Sequence, residues 1–440
     1  MDEDDERPIR PRNGSSGRWR KLNRLASRVA MPRSVYSGLG SGALGITEFR
    51  RFWLGMLTSN IGSWMQITAQ GWLILELTDS PFYLGLVGLV RAIPALAFTL
   101  IGGVIADRYD RRKILMVTQG SSALVALTLG ILDLTGIVTV SMVLILAFLA
   151  ALIMAVDNPT RQALVPDLVG RENLASAVGL NSAAWNGSSI IGPSMAGALV
   201  ALAGTGAAFI LNGLSFLAVL FAVITMAPLA QRPRGKQGVL DNLKEGLSFI
   251  LTDRRIWGIM LIIAIPTFFG RPIIQLMPSF ARDVVEAGPE GLGVLLGVMG
   301  AGALAGALLV GRLVGSKWNP GTLLLLVTLM FGTGLLLFSF SPWYASSLFI
   351  LLFVGAGQTL FMGIANTMLQ FTISEDMRGR VMSAYVLIPM GLMPLGSMVL
   401  GSLAEVIGVA MAFAIGAAII MLFALLAWKL LPEVRAAASG

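Results

Sequence analysis

The chain has 440 residues, of which 55% are hydrophobic and 13% are charged, and this composition exceeds the needs of one water-soluble core and is typical of a membrane protein. It contains no cysteine, which excludes disulfides and thiolate metal sites, and no metal ion or cofactor is expected. The net charge of +8 follows from basic loops on one side of a membrane, so it requires no nucleic-acid partner.

The first 46 residues form a predicted cytoplasmic tail. They open with acidic residues, continue with nine lysines or arginines by residue 33 and hold no long apolar run, so we expect a disordered segment rather than a cleavable signal peptide. Within residues 18–29, apolar side chains recur at helical spacing beside basic ones. This part would lie on an anionic membrane surface as a helix or, alternatively, remain a solvated tail.

Apolar runs of membrane-spanning length follow along nearly the whole chain, since about 20 residues cross a bilayer core as a helix. We therefore predict an all-α membrane protein with twelve transmembrane helices. The predicted spans are 49–77, 82–105, 112–134, 138–158, 174–202, 206–228, 256–280, 291–313, 321–340, 343–366, 381–404 and 407–430.

Lysine and arginine are concentrated in alternate loops. Arg91 and Arg271 lie inside predicted spans, and Arg282 is the one basic residue in an odd-numbered loop. Because basic loops stay in the cytoplasm, both termini are predicted to be cytoplasmic.

The sequence repeats itself after the fourth and the tenth spans. Residues 158–177 resemble residues 366–384, with asparagine, glutamine and acidic side chains at matching positions. We infer two six-helix bundles in a pseudo-two-fold arrangement, because duplication of this kind builds a site between two halves that rock. The predicted boundaries are a tail at 1–46, a first bundle at 47–229, a cytoplasmic linker at 230–254, a second bundle at 255–431 and a tail at 432–440.

The loop between the second and third spans, residues 102–115, concentrates charge in a chain that is poor in it. Its residues suit a conformational latch, because an aspartate can sit at a helix N-terminus while arginines bind carbonyl or carboxylate groups at helix C-termini. The residues of the predicted latch are Gly103, Asp107, Arg108, Arg111 and Arg112. The alternative is that the basic residues only set topology.

This loop resembles the signature loop of the major facilitator superfamily, which has a second glycine where this sequence has Asp110. The resemblance implies the major facilitator fold. It also implies that the latch docks on the start of the eleventh span, near Arg380 and Ser383.

A second motif lies in the fifth span, where small residues recur every four positions beside a proline. Its residues are Ser188, Gly192, Pro193, Ala196 and Gly197. The stripe permits close packing, and it resembles the packing motif of antiporters in the same superfamily, which implies export. A proline-bent fifth helix would then seal one half against the other. The eighth span offers a matching small surface at Gly293, Gly297, Ala301, Gly302 and Gly306.

Over residues 48–430 the chain resembles the exporter branch of this superfamily that contains the enterobactin exporter and macrolide efflux proteins, most closely in 49–88 and 157–169. The resemblance implies a secondary transporter that exports a small amphipathic molecule, such as a siderophore or a drug, in exchange for protons. It also implies a monomer in the bacterial inner membrane.

Polar side chains at helical spacing inside apolar spans should face a cavity, because lipid penalises them. In the first span such a stripe runs through Ser59, Ser63, Gln66 and Gln70. Hydrogen bonds between helices are the alternative for every stripe of this kind. The candidate substrate-binding residues are Gln66, Gln70, Arg91, Trp185, Arg271, Gln275 and Gln358.

Arg91 stands about ten residues from either end of the second span, too deep for its head group to reach a surface easily. It therefore needs a carboxylate, a carbonyl or a water-filled cavity as partner. Arg271 lies nearer the outer face, and three prolines predict a bend of the seventh span around it. For both arginines a structural ion pair is the alternative to a binding role.

The sequence contains no glycine-rich phosphate loop, so ATP hydrolysis is not expected. Because histidine is absent, carboxylates are the expected proton carriers, and the candidates are Glu76, Asp133 and Asp157. The alternatives are that Glu76 is an interfacial charge that ends its helix, and that Asp157 pairs with Arg161 one turn away.

Two other functions stay open at this point. An uptake permease of the same fold would differ in the direction of flux, and a membrane receptor or scaffold would usually carry a folded soluble domain, for which the tail and linker are short. An enzyme is not expected, because the sequence lacks histidine and cysteine and has no recognisable nucleophile motif.

Overall fold

The computed structural model describes residues 42–227, 245, 248–316 and 318–436, and the regular structure within these ranges is helical. The predicted membrane-surface helix at 18–29 lies outside the described residues, as does most of the predicted linker. A 3₁₀ turn at Ala43–Gly45 precedes the first long helix. The helices are α1 (Thr47–Thr78), α2 (Pro81–Arg108), α3 (Arg111–Leu134), α4 (140–169), α5 (171–203), α6 (205–224), α7 (Arg254–Phe269), α8 (Ile273–Asp283), α9 (Pro289–Val314), α10 (Pro320–Ser339), α11 (Tyr344–Thr372), α12 (Glu375–Ile407), α13 (Val409–Leu430) and α14 (Pro432–Ala436).

Helices α4 to α6 follow one another directly over Val140–Ile224, and one glycine separates each from the next. Gly170 and Gly204 have φ angles of 68° and 78°, in a left-handed region that glycine enters without the steric cost a Cβ brings. The chain therefore turns at both points, and the three parts follow the fourth, fifth and sixth predicted spans.

Helix α4 is longer than predicted, since it continues to residue 169 rather than ending near 158. The prediction ended the span at the polar residues that begin with Asp157. In the structure Asp157, Thr160 and Arg161 are buried, so these side chains find partners inside the protein and the helix continues through them.

The seventh predicted span is broken rather than bent. Helix α7 ends at Phe269 and α8 begins at Ile273. Between them Pro272 has no N–H to donate, so the ladder of helical hydrogen bonds cannot pass through it unchanged. The break leaves Arg271 at the junction of two short helices.

The helix ends gather at two levels that differ in charge. The first level, called here the basic end, is rich in arginine and lysine, which include Arg108, Arg111, Arg112, Lys113, Arg171, Arg312, Arg378 and Arg380, and it also carries acidic residues, which include Asp107, Asp110, Asp167, Glu172, Glu375 and Asp376. The second level, called the acidic end, carries Glu76, Asp79, Asp133, Arg282, Asp283, Glu286, Glu290 and Glu405. Helices run alternately between these two levels.

Within the described ranges, nine helical stretches are long and apolar enough to cross a membrane, and the run Val140–Ile224 is one of them. Helix α1 is not among the nine, although it is 32 residues long. Its polar side chains, which run through the first predicted span, lower its hydropathy. A helix of this kind needs protein neighbours on its polar face.

Helices α1–α6 are called the first half and α7–α13 the second half. The halves meet where α2 packs on α12 and α5 packs on α9. A methyl group added at Gly401 would lie 2.9 Å from the carbonyl oxygen of Pro81, and one added at Gly197 would lie 2.6 Å from that of Pro289. Small residues therefore let the backbones touch, and these contacts lie at the acidic end.

Candidate functional site

The polar stripe of α1 is used largely for contacts within the first half. The side-chain amide of Asn212 on α6 donates to Oε1 of Gln66 at 2.5 Å. Ser59 and Gln70 are each only 1% exposed. Gln66 therefore makes the interhelical hydrogen bond that is the alternative to substrate contact.

Arg91 is held by an amide rather than by a carboxylate. Its Nη2 donates to Oε1 of Gln70 on α1, while Nε2 of Gln70 is buried without a hydrogen-bond partner. A neutral amide leaves the positive charge of the guanidinium uncompensated. An anion beside Gln70 would balance this charge and accept from the free amide N–H.

Arg271 is the corresponding cation of the second half. Its Nε is buried without a hydrogen-bond partner, and its neighbour Tyr385 on α12 also interacts with Asn366 on α11. Among the described residues, neither Arg271 nor Arg91 forms an ion pair. The structural ion pair proposed as the alternative for both arginines is therefore not present in this part of the chain.

The contacts of Gln275 on α8 show how deep Arg91 and Arg271 lie along their helices. Its Nε2 donates to the carbonyl oxygen of Leu84 at 3.0 Å, and its Cγ lies 3.7 Å from a methyl group placed on Gly88. Arg91 follows Gly88 by about one turn, and Arg271 precedes Gln275 by about one turn. Arg91 and Arg271 thus come from opposite halves and lie at a similar depth along the helices. Both are about one turn nearer the basic end than the contact of Gln275 with α2.

Trp185 lies at a similar level on α5. A methyl group placed on Gly300 of α9 would lie 2.9 Å from the carbonyl oxygen of Ser189, and Trp185 is about one turn nearer the basic end than Ser189. Its ring centre is 5.7 Å from that of Trp64 on α1, and 51% of the residue is exposed. An aromatic face therefore lies beside the level of the two arginines.

Two further polar groups of the second half are buried and unpaired among the described residues. Gln358 of α11 is 9% exposed and its Oε1 accepts no hydrogen bond, and the hydroxyl of fully buried Thr267 on α7 has no partner. Buried polar atoms are paired in the great majority of cases. These two residues are therefore the second-half groups best suited to a polar ligand.

The small-residue motif of α5 is divided between the two halves, because Gly192 faces α1 of its own half whereas Gly197 faces α9 of the other half. A methyl group added at Gly192 would lie 2.5 Å from Cβ of Trp64 and 2.8 Å from the carbonyl oxygen of Ile61, both on α1. The adjacent Pro193 also contacts the other half, because a methyl group on Gly293 would lie 2.6 Å from its carbonyl oxygen. Consecutive helical residues point about 100° apart, so neighbouring positions serve different partners.

The small surface of α9 is likewise divided between two partners. Gly293 and Gly297 contact α5, whereas Gly302 and Gly306 contact α11 within the second half. A methyl group at Gly306 would lie 2.5 Å from the carbonyl oxygen of Ala356. Only the first pair therefore matches the predicted role between the halves.

The predicted latch makes its contacts within the first half. Arg111 pairs with Asp167 of α4 and lies 3.6 Å from Asp107. Arg112 donates from Nε and Nη2 to the carbonyl oxygens of Val223 and Ile224, at 2.9 and 2.6 Å. Arginine thus binds the C-terminus of α6, where carbonyl groups lack helical partners.

Asp110, which departs from the signature loop, caps α3. Its side chain accepts from the backbone N–H of Arg112 at 2.9 Å, and aspartate is among the preferred residues for this position. Among the described residues, Asp107 forms its ion pair with Arg111 rather than with a residue of α12, and Arg380 pairs with Glu245. The partner expected for the latch is therefore not engaged in this conformation.

Gly103 does not make the close helix contact expected of it. No heavy atom lies within 4 Å of a methyl group built on Gly103, whereas one built on Gly102 would collide with the carbonyl oxygen of Ala155 on α4. The glycine that α4 requires is thus the adjacent one.

The three candidate proton carriers occupy different surroundings. Asp157 is fully buried, pairs with Arg161, and accepts from Thr118 and Gln119 at 2.6 Å each. These contacts match the alternative to proton transfer, in which Asp157 pairs with Arg161 one turn away. Asp133 accepts from the hydroxyl of Thr205 on α6.

Glu76 is the candidate whose carboxylate is exposed. It accepts from the indole N–H of Trp72 one turn earlier, at 2.7 Å. It stands close to the end of α1, where an interfacial charge is expected. Its position therefore agrees both with a proton carrier and with an interfacial charge that ends the helix.

The profile of one protein family, described as transmembrane secretion effectors of the major facilitator superfamily, matches residues 41–439. The chain belongs to this family. It is therefore a transporter and an integral multi-pass membrane protein rather than an enzyme, and the resemblance seen in the signature loop is confirmed.

Characterised relatives of this transporter carry small molecules. The staphyloferrin A transporter of Staphylococcus aureus is 26% identical over 366 residues, 81% of this chain and 89% of its own. The enterobactin exporter EntS of Shigella boydii is 27% identical over 70% of this chain and 73% of its own. The multidrug efflux pump Tap of Mycolicibacterium fortuitum is 27% identical over 76% of this chain and 85% of its own.

Solved transporter structures share the fold. A bacterial homologue of the human lysosomal transporter Spinster, inward-facing and unoccupied, superposes with a TM-score of 0.68 at 16% identity, covering 89% of this chain and 96% of that one. An inward-facing bacterial homologue of ferroportin gives a TM-score of 0.69 at 17% identity, covering 88% and 98%.

Two sets of polar contacts between the halves, at the acidic end of the transporter, were not predicted. Glu405 of α12 accepts from the hydroxyl of Ser80 at 2.6 Å and from the N–H of Phe82 at 3.4 Å, at the start of α2. Arg282 in the last turn of α8 pairs with Asp79 at 2.7 Å. Both sets of contacts join residues more than 200 positions apart in the sequence, and no local sequence pattern predicts which distant residues meet.

Proposed function

We propose that this transporter exports a small amphipathic anion across the bacterial inner membrane, by alternating access and in exchange for protons. It acts as a monomer with twelve spans, formed by α1–α6, by α7 and α8 together, and by α9–α13. The observation that carries the proposal is the pair Arg91 and Arg271, one from each half, at one level and without a carboxylate partner among the described residues.

The basic end is assigned to the cytoplasm. Arginine and lysine at helix ends are retained on the cytoplasmic side during insertion, and the acidic end carries Arg282 among seven acidic side chains. This orientation leaves both termini in the cytoplasm, because α1 begins and α13 ends at the basic end.

The conformation described here opens toward the cytoplasm. Among the described residues, the hydrogen bonds and ion pairs that cross between α1–α6 and α7–α13 involve Leu75, Asp79, Ser80, Phe82 and Leu84 of the first half. All five lie within residues 75–84, which comprise the end of α1, the two residues that follow it and the start of α2. A substrate would therefore enter from the basic end and meet the arginines at the closed side.

Glycines of four helices support a second conformation closed at the basic end. On each of these helices, one glycine lies about five turns from a residue that contacts the other half, and therefore on the same helix face. The glycines are Gly103, Gly179, Gly311 and Gly379, and the corresponding contact residues, in the same order, are Gly85, Gly197, Gly293 and Ser397. No heavy atom lies within 4 Å of a methyl group built on any of the four glycines. They are the small residues that would meet when α2 rocks onto α12 and α5 onto α9.

The chemistry of the substrate follows from Arg91, Arg271 and Trp185. Guanidinium groups from both halves bind carboxylate or similar oxygens with paired hydrogen bonds, while the exposed indole offers an apolar face. Relatives named for staphyloferrin A, enterobactin and multiple drugs support export of such molecules. Proton exchange is the remaining component, and Glu76 is the proposed carrier because its carboxylate is the accessible one.

Flux into inside-out vesicles or proteoliposomes tests the proposal, with a carboxylate dye and its neutral methyl ester as probes. Arg91→Gln and Arg271→Gln should each reduce binding of the carboxylate dye by about tenfold or more, since each lost charge-assisted hydrogen bond is worth about 1.5–3 kcal/mol, and should affect the ester much less. Arg312→Gln is the matched control at the basic end.

Three outcomes would overturn parts of the proposal. Equal loss of both dyes would mean that the arginines support folding rather than recognition. Uptake in right-side-out vesicles would reverse the direction. Flux that is unchanged by collapse of the pH gradient, or by Glu76→Gln, would exclude proton exchange through this residue.

A further inference from the structure

A groove of about 710 Å³ lies on the outside of the first half at the basic end, apart from the region between the halves. It is formed where α2 ends, α3 begins and the middle of α4 passes behind them. Its wall is largely apolar, and its lining includes Ile105, Ile114, Val117, Leu152, Ile153 and Val156. A surface of this kind accepts hydrocarbon.

The mouth of the groove is basic. Arg108 and Lys113 line it, and both are exposed. Among the described residues neither side chain makes an ion pair or hydrogen bond, whereas the neighbouring Arg111 and Arg112 are both engaged. Two free cations therefore stand at the polar end of an apolar groove.

The nearby acidic groups do not neutralise these cations. Asp110 caps α3 through the N–H of Arg112, and Asp107 lies 3.6 Å from Arg111. Tyr109, which is 64% exposed, also lines the mouth. Tyrosine is enriched at the level of lipid head groups, so the mouth lies at the depth where a lipid phosphate is found.

We propose that this groove binds one anionic phospholipid of the leaflet at the basic end. An acyl chain lies along Val117 and Val156, and the phosphate lies between Arg108 and Lys113. Basic pockets between transmembrane helices on the cytoplasmic side bind anionic head groups in this way. The lipid would thereby contact the loop between α2 and α3, which also carries the predicted latch.

Native mass spectrometry of the purified full-length protein tests this proposal, with phosphatidylglycerol and phosphatidylethanolamine of equal chain length as probes. The wild type should retain phosphatidylglycerol in preference to phosphatidylethanolamine. Arg108→Gln/Lys113→Gln should weaken phosphatidylglycerol binding by about tenfold or more, because each basic residue near an anionic lipid contributes about fivefold. Arg312→Gln removes an exposed charge at the same end and should not change binding.

A second variant tests the groove itself. Val117→Trp keeps both charges and changes an exposed side chain, so it should fold normally but displace the acyl chain. Wild-type phosphatidylglycerol binding in either the double variant or Val117→Trp would overturn the proposal. Equal retention of both lipids, or displacement of phosphatidylglycerol by inorganic phosphate, would also overturn it, because the site would then be apolar only or a free-phosphate site.

Discussion

Asp157 illustrates how the function of a residue depends on its neighbours. Its carboxylate is fully buried beside Arg161, Thr118 and Gln119. All three partners come from α3 and α4, and the carboxylate has no exposed surface, whereas a proton carrier needs access to water during the cycle. The structure therefore favours a role for Asp157 in joining α3 to α4.

We expect Asp157→Asn to lower stability by about 3–5 kcal/mol, because it leaves Arg161 buried without its counter-charge. The double variant Asp157→Asn/Arg161→Gln removes both charges and should recover much of this loss. Thermal unfolding in detergent measures the stability, and dye flux measures transport. Recovery of pH-driven flux in the double variant is the expected result, and stable protein without pH-driven flux would instead make Asp157 a proton carrier.

At the scale of the helix, α5 shows that one element serves two interfaces at once. Gly192 packs on α1 of its own half, and Gly197 packs on α9 of the other half. The first contact holds the half together, whereas the second would separate in the proposed alternating-access cycle. The two glycines should therefore respond differently to the same substitution.

Gly192→Leu should lower thermal stability by about 1–3 kcal/mol, because the side chain would enter the space of Trp64. Gly197→Leu should leave each half intact and separate α5 from α9 at the acidic end. Gly187→Leu is the control on the same helix, since no heavy atom lies within 4 Å of it. Equal thermal shifts for Gly192→Leu and Gly197→Leu would contradict the division of roles.

At the scale of the whole molecule, closure at the acidic end depends on contacts between the halves. Glu405 binds the start of α2, where backbone N–H groups carry partial positive charge. Arg282 binds Asp79 and also donates to the carbonyl oxygen of Leu75 at 3.4 Å. These groups are the ones whose loss should favour the outward-open conformation.

Glu405→Gln should shift the population toward outward-open molecules, because the charge that faces the helix N-terminus is removed. Spin-label distances across the acidic end should lengthen, while those across the basic end should shorten. Glu286→Gln is the matched control, since this carboxylate at the same end forms no ion pair among the described residues. Unchanged distances in Glu405→Gln would show that the apolar and glycine contacts hold the end closed alone.

Gly311→Leu should have the opposite effect. No heavy atom of a neighbouring helix lies within 4 Å of a methyl group built on Gly311, so the present conformation should be unaffected, and transport should be lost because the proposed closure of the basic end is blocked. Gly120→Leu, also at an open position, is the control. Normal transport by Gly311→Leu would mean that α5 and α9 do not meet at the basic end.

Much of this organisation is determined by the sequence alone. Length and apolarity of the runs predicted the helices, with most ends within a few residues, because these properties are local. The superfamily was identified from Gly103, Asp107 and the arginines that follow, because a charged loop between two spans keeps its spacing in any conformation. The depth of Arg91 was also apparent, since it follows from position in the run, but the identity of its partner was left open.

Only the tertiary structure decided which partner each residue meets. Spacing along α5 predicted a small-residue surface, but the choice between α1 and α9 depends on the rotation of the helix, which no local pattern records. The length of α4 depends on which polar groups find buried partners. Contacts such as Glu405 with Ser80 arise because the two halves close at one end, a property of the whole arrangement of helices.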